Sequence, residues 1–216
     1  MTEMVPKLEI LPPAQRSLWN ELKHLPKGFV LYGGTGLALR LGHRTSVDFD
    51  FFSSDHLNRR ALERLDWVSG AEVLQDEPDA LTVSVDRGNP VKVSFFGPVG
   101  FGRVHEPEIT GDGVTIASLL DLAATKLKVL LQRVEAKDYL DIAALLRTNL
   151  PLGEMLAAAR CLFGEAFNPL AAQKTLAWFA GGDLSVLDAA TRALLVAAAT
   201  AEVEIPFLRR QSPRLE

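Results

Sequence analysis

The run Val47-Asp48-Phe49-Asp50-Phe51-Phe52 constrains this chain more than any other segment. Its alternation of acid and apolar residues has the two-residue period of a β-strand. Asp48 and Asp50 therefore project from one face, and Val47, Phe49 and Phe51 from the other. Two neighbouring carboxylates repel each other, and each costs several kcal/mol if buried without a partner. A cation between them removes that cost, so the pattern reads as a divalent-metal site at a sheet edge.

The chain has 216 residues, 48 % of them apolar and 23 % charged, which suits one large or two small globular domains with a sizeable core. MTEMVPKLEI has neither the basic n-region nor the apolar h-region of a secretion signal, no stretch approaches a membrane span, and the single cysteine, Cys161, has no internal disulfide partner. A cytoplasmic protein with no membrane partner is expected. Cys161 lies in an alanine-rich helical segment and reads as a small packing residue. A formal charge of −4 and a pI of about 5.6 argue against indiscriminate nucleic-acid binding, while leaving room for a local basic stripe that holds RNA.

The first half alternates helix and strand signals: a helix over 14–24, the strand FVLYG, a helix after Gly34, the strand VDFDFF and a helix over 57–65. AEVLQ, ALTVSVD and PVKVSFF then read as neighbouring antiparallel strands, which makes a sheet of about five. Val114 to Ile116 is a candidate short strand. From Ser118 onward the pattern is helical: Ser118 with Asp121 resembles a capping box, the segment to Arg133 is apolar on most sides, and further helices are expected over 135–147, 152–163, 169–180 and 187–203. The domain reading is an α/β core over 1–113, a helical part over 114–208 packed on it and completing a cleft, and a loose tail over 209–216 with the character of a cloning remnant.

Gly33 and Gly34 close the strand FVLY and open a helix. Missing side chains let backbone N–H groups approach an anion there, and the helix N-terminus adds about half a positive charge. Thr35 has three readings: a helix cap, a phosphate ligand, or each in turn. Gly-Gly-Thr alone is equally compatible with a plain tight turn. Its spacing to Asp48 and Asp50 is more telling, because one helix of about three turns lets the two strands lie side by side with both features at the same end.

The motif GG[T/S], a short helix, GHR and Asp-x-Asp resembles the nucleotidyltransferases of the DNA polymerase beta superfamily. FVLYGGTGLALRLGHRTSVDFDFFS, with IASLLDLAATKLKVLLQR and AKDYLDIAALL downstream, is similar to the AbiEii/AbiGii toxin family, nucleotidyltransferase-like toxins of bacterial type IV toxin–antitoxin and phage-exclusion systems. The resemblance covers about residues 28–147 and implies an α+β minimal nucleotidyltransferase fold with a C-terminal helical extension. It also implies Mg²⁺ and an NTP, transfer of a nucleotide to an acceptor such as RNA, tRNA in particular, and a cognate antitoxin. Residue by residue, Gly33, Gly34 and Thr35 match the phosphate-binding motif and Asp48 and Asp50 the metal-binding pair. Lys126 matches the helix lysine, and Asp138 the aspartate of the later Arg/Lys-Asp motif.

Each assignment has a plainer reading beside it. Lys126 suits a phosphate oxygen, but by its own sequence it is a surface lysine with a buried stem. Asp138 and Asp141 lie at i and i+3, and Lys137 and Asp141 have the i,i+4 spacing of an ion pair, so Asp141 reads as structural and Asp138 as catalytic, with capping or pairing alone as the alternative for Asp138. Arg44 either contacts a phosphate or holds Asp48 or Asp50, or it is a cation favoured at a helix C-terminus, the reading preferred for His43.

PVKVSFF departs from the superfamily pattern, which puts a third carboxylate on this strand where alternation places Ser94. Asp138 or a water completes the metal shell, or another residue serves as base, or the chain is a catalytically silent nucleotide-binding or interaction module. Asp86 is a weaker substitute in a turn-like Asp-Arg-Gly setting. The four histidines match no zinc spacing, and GGTGLALR has neither P-loop nor Rossmann spacing. The leading expectation is an Mg²⁺-dependent nucleotidyltransferase toxin, with modification of a protein or small-molecule hydroxyl as a further possibility.

Overall fold

In the computed structural model, which describes residues 4–216, the acid-bearing run is a strand over Asp48–Ser53 in which every second residue is buried, as its period requires. In chain order the helices and strands are α1 (Pro13–Trp19), β1 (Phe29–Leu31), α2 (Gly33–Leu41), β2 (Asp48–Ser53), α3 (Arg59–Glu63), α4 (Asp66–Ser69), β3 (Glu72–Glu77), β4 (Ala80–Asp86), β5 (Pro90–Phe96), β6 (Glu108–Ile109), β7 (Thr115–Ile116), α5 (Leu119–Leu130), α6 (Ala136–Leu146), α7 (Leu152–Phe163), α8 (Pro169–Thr175) and α9 (Ala189–Thr200). They fall into two units. The first takes the chain up to Gly102, Glu106–Ser118 and Ser212–Glu216; the second takes Arg103–His105 and Leu119–Gln211.

The first unit holds one mixed sheet of order β3-β4-β5-β2-β1-β7-β6. β3, β4 and β5 form the expected antiparallel meander, β5 runs parallel to β2, and β2 is antiparallel to β1. The sheet has seven strands rather than about five. β7 falls on the candidate short strand over 114–116 and is held to β1 by Leu31↔Ile116 and by the Ala117 N–H donating to the Leu31 carbonyl at 3.1 Å, while β6, two residues long, is too short for a periodic signal. One sheet face carries Phe49, Phe51 and Phe95, in contact with Trp19, Phe29 and Trp67 at ring separations of 5.3–6.3 Å. Burying each such ring contributes about 1.5–3 kcal/mol, which fixes the register of β2 and therefore the face its carboxylates occupy.

Gly42 ends α2 in the left-handed region at φ 68°, its N–H donating to the Ala38 carbonyl at 2.7 Å. The residues Ser212–Glu216 are held, where the sequence reads 209–216 as loose. Arg214 grips Asp55 through two hydrogen bonds of 2.6 and 3.1 Å, the Leu215 N–H donates to Ser54 Oγ at 2.8 Å, and Leu215 is buried. An apolar side chain flanked by paired polar groups is stable against a surface, but its docking place lies more than 150 residues away in sequence and leaves no local signal.

In the second unit α5 is apolar nearly all round, with Leu120, Leu122, Ala123, Ala124, Leu127 and Leu130 buried, and packs most extensively on α7, whose alanines permit close approach. The buried carboxylate of Asp121 accepts the N–H groups of Val104 and His105 at 2.8 and 3.2 Å. Helix α8 stops at Thr175, short of the expected 180. Past its end the chain tightens into i→i−3 bonds, the Trp178 N–H donating to the Thr175 carbonyl at 2.9 Å, and the Tyr139 hydroxyl lies 3.3 Å from the Thr175 carbonyl and 3.0 Å from that of Trp178. Among the described residues no helix is long and apolar enough to cross a membrane.

Candidate active site

The site is built where β1 ends, α2 begins and β2 starts. Tyr32 is the N-cap residue of α2 and provides no side-chain cap. Gly33 has φ +70°, a conformation that side-chain-bearing residues rarely adopt. A Cβ on Gly33 would stand 2.5 Å from Asp50 Oδ2, and one on Gly34 would stand 2.5 Å from Arg44 Nη2. The two glycines thus leave space for an acid and a guanidinium that converge on the bend. The sequence requirement for glycine here comes from these side chains as well as from backbone conformation.

Arg44 Nη1 donates to the Thr45 carbonyl at 2.9 Å, and Nη2 turns toward Gly34 at the start of α2. The guanidinium thus stands at the N-terminal end of α2 and not at its C-terminal end. Thr35 is not the helix cap. It lies inside the first turn, 1 % exposed, with its hydroxyl 2.9 Å from Ser46 Oγ and donating to the Asp48 carbonyl. The side chain ties α2 to the start of β2 and so sets the distance between glycine turn and carboxylates. Its short, branched shape and single hydroxyl give no sequence signal that distinguishes such a tie from a phosphate contact.

Asp48 and Asp50 share the half-buried face of β2, as their spacing predicts. In the parallel pairing with β5, Asp48 lies opposite Lys92 and Asp50 opposite Ser94. Lys92 Nζ stands 3.8 Å from Asp48 Oδ2, with both side chains substantially exposed. Ser94 is buried and receives a hydrogen bond of 3.3 Å from the Thr82 hydroxyl, so this rung ends in neutral hydroxyls. Asp86 is occupied in turn chemistry, accepting the Gly88 N–H at 2.8 Å. Lys92 is the residue that sequence reasoning missed. It shares a strand face with Ser94, but the parallel strand pairing that sets it against Asp48 leaves no local signal.

Two carboxylates on one face are a donor set that suits a hard cation, which takes one or two protein carboxylates and completes its shell with phosphate or water oxygens. Among the described residues no three His, Cys, Asp or Glu side chains are grouped to hold a metal by themselves. Asp48 and Asp50 therefore fit Mg²⁺ in company with a nucleotide's phosphates.

In the second unit, Lys126 and Asp138 are brought together, but as members of a larger buried cluster. Lys126 Nζ lies 3.1 Å from Asp138 Oδ1 and 2.6 Å from Asp141 Oδ2, and Arg133 grips Asp138 at 2.7 and 3.1 Å. Both aspartates are fully buried, and Lys126 is 5 % exposed rather than a surface lysine. Lys137 pairs with Glu135 at 2.7 Å, not with Asp141 as its spacing suggests. Two cations and two carboxylates balance, which is how charges survive in an apolar helical core. Asp138 also acts on its neighbour: burial, with the Asp138 charge second, pushes the Tyr139 phenol above its usual range. Cys161 is partly buried, and burial pushes its thiol up, the opposite of an activated nucleophile.

A mixed sheet with a glycine turn, a helix N-terminus and an acid pair on the adjoining strand defines the nucleotidyltransferase class of α+β proteins. The chain belongs to the AbiEii nucleotidyltransferase toxin family of type IV toxin–antitoxin systems, whose family model matches residues 17–202. Its fold is similar to a candidate nucleotidyltransferase from H. pylori, with TM-score 0.58 and 18 % identity over 92 % of this chain and 94 % of that one. It is also similar to MenT4, a nucleotidyltransferase toxin of Mycobacterium tuberculosis, with TM-score 0.57 and 16 % identity over 86 % of this chain and 82 % of that one. An uncharacterized protein of Aquifex aeolicus is 35 % identical over 125 residues, which are 56 % of this chain; the chain spans 59 % of that relative's length.

Proposed function

We propose that the protein transfers an NMP from an NTP to a hydroxyl of RNA, with tRNA as the preferred acceptor class, in a reaction that requires Mg²⁺. The observation that carries this reading is the convergence of Asp50 and Arg44 on the Gly33-Gly34 bend, beside Asp48 on the same strand face. The acceptor oxygen bonds to the α-phosphorus, the bond to the bridging oxygen breaks so that pyrophosphate leaves, and the hydroxyl proton is released. Mg²⁺, when bound, lowers the pKa of the attacking hydroxyl and neutralises charge on the leaving pyrophosphate.

The chain's own residues position the reactants. Asp48 and Asp50 hold the cation, and the backbone of Gly33 and Gly34 with the α2 N-terminus receives phosphate oxygens. Arg44 adds a planar two-pronged donor for phosphate at the same bend. Thr35 serves indirectly, by fixing α2 against β2. Lys126 and Asp138, which the family resemblance places among the catalytic residues, are kept in the reading as essential for activity; their mutual burial means that losing either disturbs the helical unit too. Membership of a toxin–antitoxin family supports a cognate antitoxin as the protein partner.

Incubation with labelled NTPs, Mg²⁺ and total bacterial RNA tests the reading. Label is expected in RNA, in the tRNA fraction above all, and is expected to vanish for Asp48→Ala. Transfer that persists in that variant rejects the assigned metal site, and label that goes to protein or small molecules instead rejects the acceptor.

A further inference from the structure

The charge balance at the carboxylate pair bears on how many metal ions the site takes. Asp48 and Asp50 contribute two negative charges at the start of β2, and two cations already attend them. Lys92 lies directly across the parallel rung from Asp48, 3.8 Å away, and Arg44 meets the bend that Asp50 touches. The other rung of β5 offers only the buried Ser94 hydroxyl, already engaged by Thr82. A pair of dications about 4 Å apart repels four times as strongly as a pair of unit charges, and two-metal sites offset this with shared anionic ligands on both ions. Here no third carboxylate joins the pair among the described residues, and one of the two faces an ammonium.

Resting on the metal-dependent reading above, we propose that the site takes a single divalent cation with its nucleotide, and that the Lys92 ammonium supplies the second positive charge. Lys92 is 47 % exposed along its side chain, so its four-carbon stem is free to follow either Asp48 or a phosphate oxygen. With the site empty, Lys92 neutralises Asp48 and limits the repulsion between the two acids. With a nucleotide bound, it shares the phosphate charge that a second ion would otherwise carry. Lys92 is thus a binding residue for the nucleotide, and in its absence a competitor of the cation for Asp48.

The test counts ions instead of turnover. Full-length protein is titrated with Mn²⁺, free Mn²⁺ being read by electron paramagnetic resonance, with and without a nonhydrolysable NTP. One Mn²⁺ per chain is expected for the wild type with nucleotide and two for Lys92→Asp, which introduces an anionic ligand opposite Asp48. Without nucleotide, Lys92→Met is expected to bind Mn²⁺ about fivefold more tightly, the scale of a partly exposed ion pair, because the ammonium no longer competes for Asp48. A wild-type count of two overturns the proposal, as does a count that stays at one in a folded Lys92→Asp. If Lys92→Asp does not fold, Lys92→Met decides, and an unchanged Mn²⁺ affinity overturns it. No Mn²⁺ bound under any condition rejects the metal site itself, a result distinct from failure of the lysine's role.

Discussion

Gly33 and Asp50 compete for one volume: a Cβ on Gly33 would stand 2.5 Å from Asp50 Oδ2. The glycine is therefore a condition for the acid's position, and the left-handed φ of +70° adds a second, independent reason for it. Gly33→Ala is expected to lower stability by about 1 kcal/mol or more through backbone strain. It is also expected to weaken Mn²⁺–NTP binding at least tenfold, because Asp50 must move. Thermal melting and titration calorimetry check the two effects separately; unchanged nucleotide binding in a folded Gly33→Ala would show that Asp50 need not touch the bend.

Asp48→Asn and Asp50→Asn should separate function from folding. Both carboxylates are half-buried on a face with solvent access, and the repulsion between them is offset by partners such as the Lys92 ammonium 3.8 Å from Asp48, so replacing either by its neutral isostere is expected to change stability by no more than about 1 kcal/mol. Transfer activity is expected to fall by about 10²-fold or more, the usual cost of losing one group that stabilises transition-state charge. A melting curve beside a labelled-NTP assay is sufficient. A collapse of stability without Mg²⁺ would mean that the acids serve the fold.

The difference between what could and could not be read from the sequence has a simple physical origin. The strand at Asp48–Ser53, the α2 start and the antiparallel meander rest on local period and turn chemistry, which a sequence displays directly. Lys92 opposite Asp48, Asp141 on Lys126 and Leu215 beside Ser54 depend on which distant segments meet, and no local pattern encodes that. Thr35 and Lys126 show a subtler limit. Their positions in the motifs were legible, but burial turned the hydroxyl into a tie between α2 and β2 and gave the ammonium two fixed counter-ions.

Lys126→Met is expected to destabilise the protein by about 3–5 kcal/mol, since it leaves Asp138 and Asp141 buried with one fewer cation. Arg133 still grips Asp138 in that variant. Asp141→Asn combined with Lys126→Met should recover part of the stability, and a double-mutant cycle in urea measures the coupling. This pattern contrasts with that of Asp48→Asn, where activity falls and stability holds. Additive effects in the cycle would show that Lys126 and Asp141 are not energetically paired.

Tyr139 reports on whether Asp138 is charged. Burial is the larger cause of its raised phenol pKa, and the negative charge of Asp138 the second. A folded-state pKa above the unfolded one means that the contribution to stability is fully present below the unfolded tyrosine value of about 10, and is lost as pH rises through the folded value. Absorbance at the phenolate band should accordingly show a late-ionising step that Tyr139→Phe removes. Asp138→Asn removes the coulombic contribution and leaves that of burial, so the late step moves down toward the ordinary range without reaching it. If the step does not move in a folded Asp138→Asn, the Asp138 charge is not felt at the phenol, and Lys126 and Arg133 have already neutralised it.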